Sequence, residues 1–319
     1  MYIDALQYVA PSRAVFEDMR AGAVDMVHIT VGYHEDLDGV LRNLSAWYTH
    51  IEHNSDLLTR ATTVADIRAA HANGTTAVMF GLQNPLPLGA DLGRVQLLYD
   101  LGIRFCQLTY NQQSLLGAGC FEDRDSGVTA FGRECIAEMN RVGMVIDLSH
   151  AGPHTAAEAV ALSTRPVAIT HANPKSWHDS PRNVTHDLIA AVTARGGMMG
   201  FSLYPHHLAG GSDCDLPQFA QMAADMVARF GPHFGIGSDL CQNQPDSVVN
   251  WMRNGHWRKT PVPAAVFPPQ PPWFQSNRDF PGLALGFKQA GMSADDIAGL
   301  MGQNWMRFLE TSWGPLDET

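Results

Sequence analysis

Two short apolar segments of this chain each deliver a histidine, and histidine is the commonest side-chain ligand for metals such as zinc. MVIDLSH, at 144–150, ends in His150, and VAITHAN, at 167–173, contains His171. A third apolar segment, FGIGSDL at 234–240, brings Asp239 to a similar position. Two imidazoles can hold a divalent ion, and a carboxylate can bind that ion or accept a proton from its water. The residue types therefore indicate metal-assisted or acid–base chemistry, provided that the three segments end at one place.

The elements that must bring these segments together follow a regular order. Apolar runs that read as buried strands alternate with stretches of helical spacing such as 131–143, 154–163 and 216–231. This alternation is typical of a parallel sheet covered by helices, and eight runs favour a closed (β/α)8 TIM barrel over an open doubly wound sheet. We therefore predict one α/β barrel domain over residues 1–319, with a loop rich in proline and tryptophan at about 245–280. The eight predicted strands are 2–9, 24–33, 76–83, 103–110, 144–150, 166–172, 197–204 and 234–240.

A barrel of this kind carries its active site at the carboxyl ends of the strands, so the residues that end each run are the candidates. Two histidines and an aspartate at such positions, His150, His171 and Asp239, could hold a divalent ion. Arg182, in the segment SPRNV, is placed to bind a substrate carboxylate in a bidentate way. The residues at the predicted strand ends are Gln7 or Tyr8, His28, Gln83, Tyr110, His150, His171, Tyr204 and Asp239.

Composition excludes several classes of partner. The net charge of −11 argues against nucleic acids and anionic membranes, because both select basic surfaces. The first residues do not resemble a signal peptide, and we find no uninterrupted apolar stretch of membrane-spanning length. Five cysteines without a C-x-x-C pair predict reduced thiols. We therefore expect a soluble, cytoplasmic protein that acts on a small molecule or a peptide.

Four segments of the chain carry a resemblance to a known family, namely GMVIDLSHAG, THANPKSWHDSPRNV, GIGSDL and GLMGQNWMRF. They occur in the order and spacing of the membrane dipeptidase (renal dipeptidase) family of metallopeptidases, which the chain resembles over nearly its whole length. The resemblance implies a barrel of the metal-dependent hydrolase type that cleaves dipeptides and forms a homodimer. It also implies that His150 and His171 are zinc ligands, that Arg182 binds the substrate carboxylate and that Asp239 handles the proton of the attacking water.

The sequence departs from the family's pattern at the other half of that site. The family's H-x-D pair on the first strand is replaced by Leu6 and Tyr8, and its bridging glutamate by Gln83. The histidine of its L-T-H-N segment is replaced by Tyr110, which could donate a hydrogen bond to an oxyanion. Because an amide is a weaker zinc ligand than a carboxylate, we expect no binuclear centre. We expect one zinc ion at most, held by His150 and His171 and assisted by Gln83 or Asp239.

Three hypotheses about the function remain open from the sequence alone. The first is a dipeptidase-like metal-dependent hydrolase that cleaves an amide bond in a small carboxylate-bearing substrate. The second is a catalytically silent barrel that binds a small amino-acid derivative at the same mouth. The third is a metal-free lyase or isomerase that uses Asp239 and Tyr110 as its acid and base. Loss of turnover after metal removal separates the first reading from the other two.

Overall fold

A computed structural model describes residues 1–255 and 265–313 of the chain. Within these residues, nine strands form one sheet in which all pairs are parallel. The strands are β1 (Tyr2–Gln7), β2 (Val24–Thr30), β3 (Leu58–Arg60), β4 (Thr76–Leu82), β5 (Ile103–Gln107), β6 (Val145–Asp147), β7 (Ala168–Ala172), β8 (Met198–Phe201) and β9 (Phe234–Ile236).

The sheet closes on itself, as the alternation of strands and helices predicts. β1 pairs with β2 and with β9, and a further pairing of β2 with β4 completes a ring of eight parallel strands. The (β/α)8 TIM barrel expected from the sequence is therefore confirmed. The sequence reading missed β3, a three-residue strand that pairs with the first residues of β4 outside the ring.

Helices cover the outside of the barrel. Many begin at a residue whose side chain accepts a hydrogen bond from the first turn, such as Ser12, Asp36, Thr129 and Asp215. The α-helices are α1 (Arg13–Ala21), α2 (Leu37–His53), α3 (Val64–Asn73), α4 (Gly93–Asp100), α5 (Ala130–Val142), α6 (Pro153–Leu162), α7 (His186–Thr193), α8 (Leu216–Phe230), α9 (Asp246–Asn254), α10 (Phe280–Gln289), α11 (Ala294–Ala298) and α12 (Asn304–Trp313). A π-helical segment, Gly299–Gln303, joins α11 to α12.

The region predicted as a loop at 245–280 needs a correction. Its first part forms α9, whose hydrophobic and polar residues alternate with helical spacing, and its last residues form a 3₁₀ turn at Asn277–Asp279 that leads into α10. Residues 265–276, by contrast, contain no helix or strand, as expected. Residues 256–264 lie outside the described part of the chain, so that part of the loop prediction has no structural counterpart here.

Apolar side chains fill the lower part of the barrel and form a base for the site. Ile3, Met26, Met79 and Phe105 belong to one buried cluster that also includes Trp305 of α12. Trp305 packs in this cluster with the first residues of β6, β7 and β8, so α12 covers the barrel at the end opposite the strand tips. The Trp305 indole N–H also donates a hydrogen bond to the Ile236 carbonyl at 3.1 Å.

Two glycines bring β7, β8 and β9 close together under the site. A Cβ atom at Gly200 would lie 2.0 Å from the Thr170 carbonyl oxygen, and one at Gly237 would lie 1.7 Å from the same oxygen. Any larger residue at either position would therefore push these strands apart. Their close approach fixes the backbone of the residue that precedes His171.

Candidate functional site

A cavity of about 460 Å³ opens at the carboxyl ends of the strands. It has a volume typical of small-molecule sites, and it lies at the end of the barrel where such sites occur. Its lining includes five of the six residues to which the sequence assigned a role, namely Gln83, Tyr110, His150, Arg182 and Asp239, and also the strand-end candidate Tyr204. His171, the sixth, lies directly behind His150. The fold therefore brings all six candidates together.

The two histidines face each other at the floor of this cavity, where His150 lines it and His171 lies just beneath. Their Nε2 atoms are 3.0 Å apart, and the side chains are 6% and 0% exposed for His150 and His171. Burial lowers the pKa of both imidazoles well below the usual range, and the nearby Arg182 guanidinium lowers it further. Both rings are therefore neutral, which is the state that binds a metal.

Hydrogen bonds at the outer nitrogens fix the tautomer of each ring. His150 Nδ1 lies 2.7 Å from Asn111 Oδ1, which can only accept, so Nδ1 carries the proton. His171 Nδ1 lies 2.9 Å from Thr170 Oγ1, and the Thr170 hydroxyl donates its own proton to Asp147 Oδ2 at 2.6 Å. His171 Nδ1 is therefore the donor to Thr170. Both Nε2 atoms are left with lone pairs that point at each other.

Asp147, the last residue of β6, anchors the support behind His171. Its carboxylate accepts hydrogen bonds from the backbone N–H and hydroxyl groups of both Ser149 and Thr170, at distances from 2.5 to 3.1 Å. Gln107 Nε2 adds a further bond at 3.0 Å. This chain of carboxylate, hydroxyl and imidazole resembles the outer support that orients metal-binding histidines in proteins.

Gln83 adds a third acceptor to the histidine pair. Its Oε1 lies 3.1 Å from His150 Nε2, while its Nε2 donates to the Tyr33 hydroxyl at 2.8 Å. Two imidazole lone pairs and an amide oxygen that converge in this way repel one another unless a proton or a cation lies between them. This donor set fits a single divalent ion.

The same residues do not fit a bridged pair of ions. The described part of the chain contains no group of three or more His, Cys, Asp or Glu side chains that could hold a metal. Leu6, fully buried, offers no ligand atom, and Tyr8 packs edge-on against Tyr33 with ring centroids 4.7 Å apart. Tyr33 in turn packs against Tyr110 at 5.1 Å. Aromatic rings therefore fill the side of the mouth where the resemblance places the second ion's ligands.

Asp239 lies just beyond β9 in a strained backbone conformation. Its φ of 56° is in the left-handed region, which is uncommon for residues other than glycine and concentrated at functional sites. Burial raises the pKa of its carboxyl to about 7, with a smaller increase from Asp4 and an opposing effect of Arg182. A carboxyl group with this pKa can accept and return a proton near neutral pH.

Arg182 is a buried cation, only 5% exposed. Its guanidinium donates to the backbone carbonyls of Ser149 and His171, and it belongs to no ion pair among residues 1–255 and 265–313. A desolvated guanidinium without a carboxylate partner favours an anionic ligand, because the ligand restores the interactions that burial removed.

Tyr110 forms one wall of the cavity next to the histidines. Its ring lies over His150 with centroids 4.4 Å apart, and the side chain is 7% exposed. Burial, followed by the charge of Asp239, raises the pKa of the Tyr110 hydroxyl well above its usual value. The hydroxyl therefore stays protonated and can act as a hydrogen-bond donor.

The sequence analysis did not identify several residues of the site. Asn111, Ser149 and Thr170 are common surface residue types, and their role is visible only through their contacts with the histidines. His207, which the sequence analysis did not single out, lines the cavity, is 4% exposed, and has its Nδ1 2.7 Å from Ser202 Oγ. His28, a candidate at a predicted strand end, does not line the cavity: it is 1% exposed and its Nδ1 lies 2.6 Å from the Ala5 carbonyl oxygen.

Fold and cavity together define a closed (β/α)8-barrel protein with a candidate ligand site at the carboxyl ends of its strands. The comparison with known families gives a narrower assignment. This chain belongs to the membrane dipeptidase family (peptidase family M19), whose family model matches residues 10–250. The resemblance drawn from the sequence motifs is therefore confirmed.

Curated relatives carry dipeptidase names. The dipeptidase aclJ of Aspergillus oryzae is 26% identical over 268 residues, which cover 81% of this chain and 57% of the relative. The dipeptidase verJ of Clonostachys rogersoniana is 30% identical over 219 residues, which cover 65% of this chain and 54% of the relative. The chain thus spans little more than half the length of these relatives.

Solved structures share the fold over nearly the whole chain. An amidohydrolase from Pseudomonas aeruginosa is 33% identical with a TM-score of 0.93, and the match covers 98% of this chain and 97% of the other. A metallopeptidase from Rhodobacter sphaeroides, solved with a phosphinate mimic of the dipeptide L-Ala-D-Ala, has a TM-score of 0.81 at 18% identity. That match covers 98% of this chain and all of the other, and at this identity it shows the fold alone.

Proposed function

We propose that this protein is a metal-dependent dipeptidase that hydrolyses the amide bond of a small, carboxylate-bearing dipeptide with a single zinc ion. The observation that carries the proposal is the pair of neutral imidazoles whose Nε2 lone pairs converge with Gln83 Oε1, in the cavity that also holds Asp239 and Arg182. Family membership and the dipeptidase names of the relatives support the substrate class.

His150, His171 and Gln83 would hold the ion in this proposal. When bound, a zinc ion lowers the pKa of a bound water and polarises the scissile carbonyl. Arg182 binds the carboxylate of the dipeptide and so sets the distance from that end to the reacting carbonyl. Burial of the guanidinium strengthens this contact, because few waters compete for it.

Asp239 and Tyr110 would carry the proton and the developing charge. Asp239, with its pKa near 7, takes a proton from the attacking water and returns it to the nitrogen of the departing amino acid. Tyr110 donates a hydrogen bond to the carbonyl oxygen as negative charge forms on it. The products are two free amino acids, and the water supplies the hydroxyl group of the new carboxylate.

The finer assignments are also proposals. We propose that residues 1–319 form one barrel domain and that the protein acts as a homodimer, as the family resemblance implies. We further propose a cytoplasmic location, which five unpaired thiols support because reduced cysteines are typical of that compartment. No α-helix among the described residues is both long and apolar enough to cross a membrane. Light scattering on the purified protein measures the oligomeric state.

Metal content and turnover, measured together, test the proposal. Protein purified without chelators should contain about one equivalent of zinc and hydrolyse members of a dipeptide panel that varies the stereochemistry of both residues. The double variant His150→Ala, His171→Ala should lose both, while His53→Ala, at an exposed position in α2, should keep both.

A metal-free lyase or isomerase is the second candidate, favoured by the proximity of a carboxyl of pKa near 7 to a protonated tyrosine in one cavity. Turnover that survives EDTA and the double variant would support this candidate and refute the metal mechanism. A protein that holds metal but hydrolyses no dipeptide would refute the proposed substrate. A protein that binds amino-acid derivatives without metal or turnover would support a silent barrel.

A further inference from the structure

A second cationic group lies at the mouth of the same cavity, on an element that the mechanism above does not use. Arg253 is carried by α9, and the neighbouring residues Val249 and Met252 of that helix also line the cavity. Positions 249, 252 and 253 share one face of a helix, so α9 presents a single face to the cavity. Two guanidiniums therefore line this cavity, Arg182 in its depth and Arg253 at its opening.

The charge of this cavity is opposite to that of the whole chain. The chain carries a net charge of −11, yet Asp239 is the one acidic side chain among the described lining residues. Two guanidiniums therefore face a single carboxyl group in this cavity. A local excess of positive charge in an acidic protein concentrates anionic ligands at that place.

Contacts at the mouth hold Arg253 without neutralising it. Its guanidinium forms a hydrogen bond with the half-buried Tyr204 side chain, and it also lowers the pKa of the neighbouring His206, after the larger effect of burial. None of the ion pairs formed within residues 1–255 and 265–313 includes Arg253. Within the described residues, the guanidinium thus lines the mouth of the cavity, bonded to Tyr204 and without an acidic partner.

Apolar side chains lie beside Arg253 along the wall of the cavity. Val249 and Met252 precede it on α9, and Phe121 and Phe267 contribute from two other segments. A ligand whose charged group contacts Arg253 must therefore place an apolar part, such as methylene groups, against this wall. The γ-carboxylate of a glutamate side chain has this combination of an apolar stem and an anionic end.

We propose that Arg253 forms a second anion subsite, which selects dipeptides with an acidic side chain, glutamate in particular. This inference rests on the proposed function, because it assigns Arg182 to the main-chain carboxylate and Arg253 to the side-chain carboxylate. The substrate then carries two carboxylates, one for each guanidinium. Arg253 acts in this scheme as a residue that determines specificity.

Matched pairs of dipeptides test the subsite. Glutamate and glutamine side chains have nearly the same size, so the pairs Ala-Glu with Ala-Gln and Glu-Ala with Gln-Ala isolate the charge, in both L and D forms of the second residue. We expect kcat/KM to favour the glutamate member of one pair by about tenfold, the usual range for one charge-assisted hydrogen bond. The pair that shows the preference identifies which residue of the dipeptide faces Arg253.

Two variants test whether the glutamate preference comes from Arg253 itself or from the overall charge of the protein. Arg253→Gln should reduce the glutamate preference from about tenfold to about one. Arg42→Gln, which removes the same charge from an exposed ion pair on α2, should leave the preference intact. A preference that persists in Arg253→Gln, or equal kcat/KM values for glutamate and glutamine peptides in the wild type, would overturn the subsite.

A binding measurement distinguishes failure of the Arg253 subsite from failure of the proposed hydrolase function. Phosphinate isosteres of the same dipeptides, with a carboxylate or a carboxamide on the side chain, are titrated calorimetrically into the wild type and Arg253→Gln. Tighter binding of the carboxylate form without any peptide turnover would refute the hydrolase and keep the subsite. Turnover without discrimination would refute the subsite and keep the hydrolase, and neither binding nor turnover would refute both.

Discussion

Replacement of Thr170 by valine should weaken zinc binding although Thr170 contacts no metal in the proposed site. The hydroxyl accepts the proton of His171 Nδ1 at 2.9 Å and is itself held by Asp147 at 2.6 Å. Valine has nearly the same shape but no acceptor, so a buried N–H group loses its partner at a cost of about 1–3 kcal/mol. The imidazole can avoid this cost by moving its proton to Nε2, which blocks the nitrogen that faces His150.

The expected loss of zinc affinity follows from the competition between zinc and the proton for Nε2 of His171. A penalty in this range corresponds to a decrease in zinc affinity of about 5- to 150-fold. This range includes the roughly 10- to 100-fold effect usually found for partners behind a metal ligand. Competition with a chromophoric chelator measures the dissociation constant, and nitrogen NMR of the imidazoles identifies the protonated nitrogen of His171. Thr170→Ser retains the hydroxyl and should bind zinc within a few-fold of the wild type.

The valine and serine variants together distinguish a role of Thr170 in zinc binding from a purely structural role. A purely structural role for Thr170 would lower the melting temperature of Thr170→Val and leave both the tautomer of His171 and the zinc affinity unchanged. Zinc binding by Thr170→Val as tight as that of the wild type would therefore refute the assignment. Equal loss of affinity in the serine variant would refute it too, because the hydroxyl is present there.

Three further predictions concern the other residues of the cavity. Because Asp239 must be ionised to accept a proton and its pKa is raised to about 7, kcat/KM should fall about tenfold per pH unit below pH 7 and level off above it; Asp239→Asn should remove this dependence along with most of kcat, as a pH–rate profile checks. Arg182→Gln should raise KM for dipeptides about 100-fold, with a smaller effect on an amide-capped peptide, as initial-rate kinetics measures. Gln83→Glu should tighten zinc binding about tenfold or more because a carboxylate replaces an amide, yet elemental analysis should still find one equivalent, since Leu6 and Tyr8 supply no further ligands.

The barrel, and the meeting of the candidate residues at one end of it, could be predicted from the sequence because both rest on local patterns. Buried strands read as continuous apolar runs, and the polar residue that follows each run points to one end of the barrel once the fold is known. His150, His171 and Asp239 stand at such positions and converge as expected.

The support of the site could not be predicted in this way. The bond from His171 to Thr170 joins adjacent residues, but its direction depends on Asp147, which lies on another strand. The place of Arg253 depends on α9, a helix in a region whose prolines and tryptophans favoured a loop reading. The strand β3 has three residues, too few for a periodic pattern to show.

The closure of the barrel by β1, β9 and Trp305 also has a consequence for biosynthesis. β1 is made first, but one of its edges pairs with β9 at 234–236, and the base of the barrel is sealed only by a side chain at position 305. At roughly 5–20 residues per second, that edge waits on the order of ten to fifty seconds for its partner while the chain is on the ribosome. An unpaired strand edge invites pairing with other chains. We therefore expect the yield of correctly folded protein to depend on chaperones that protect the nascent chain until its last helix has emerged.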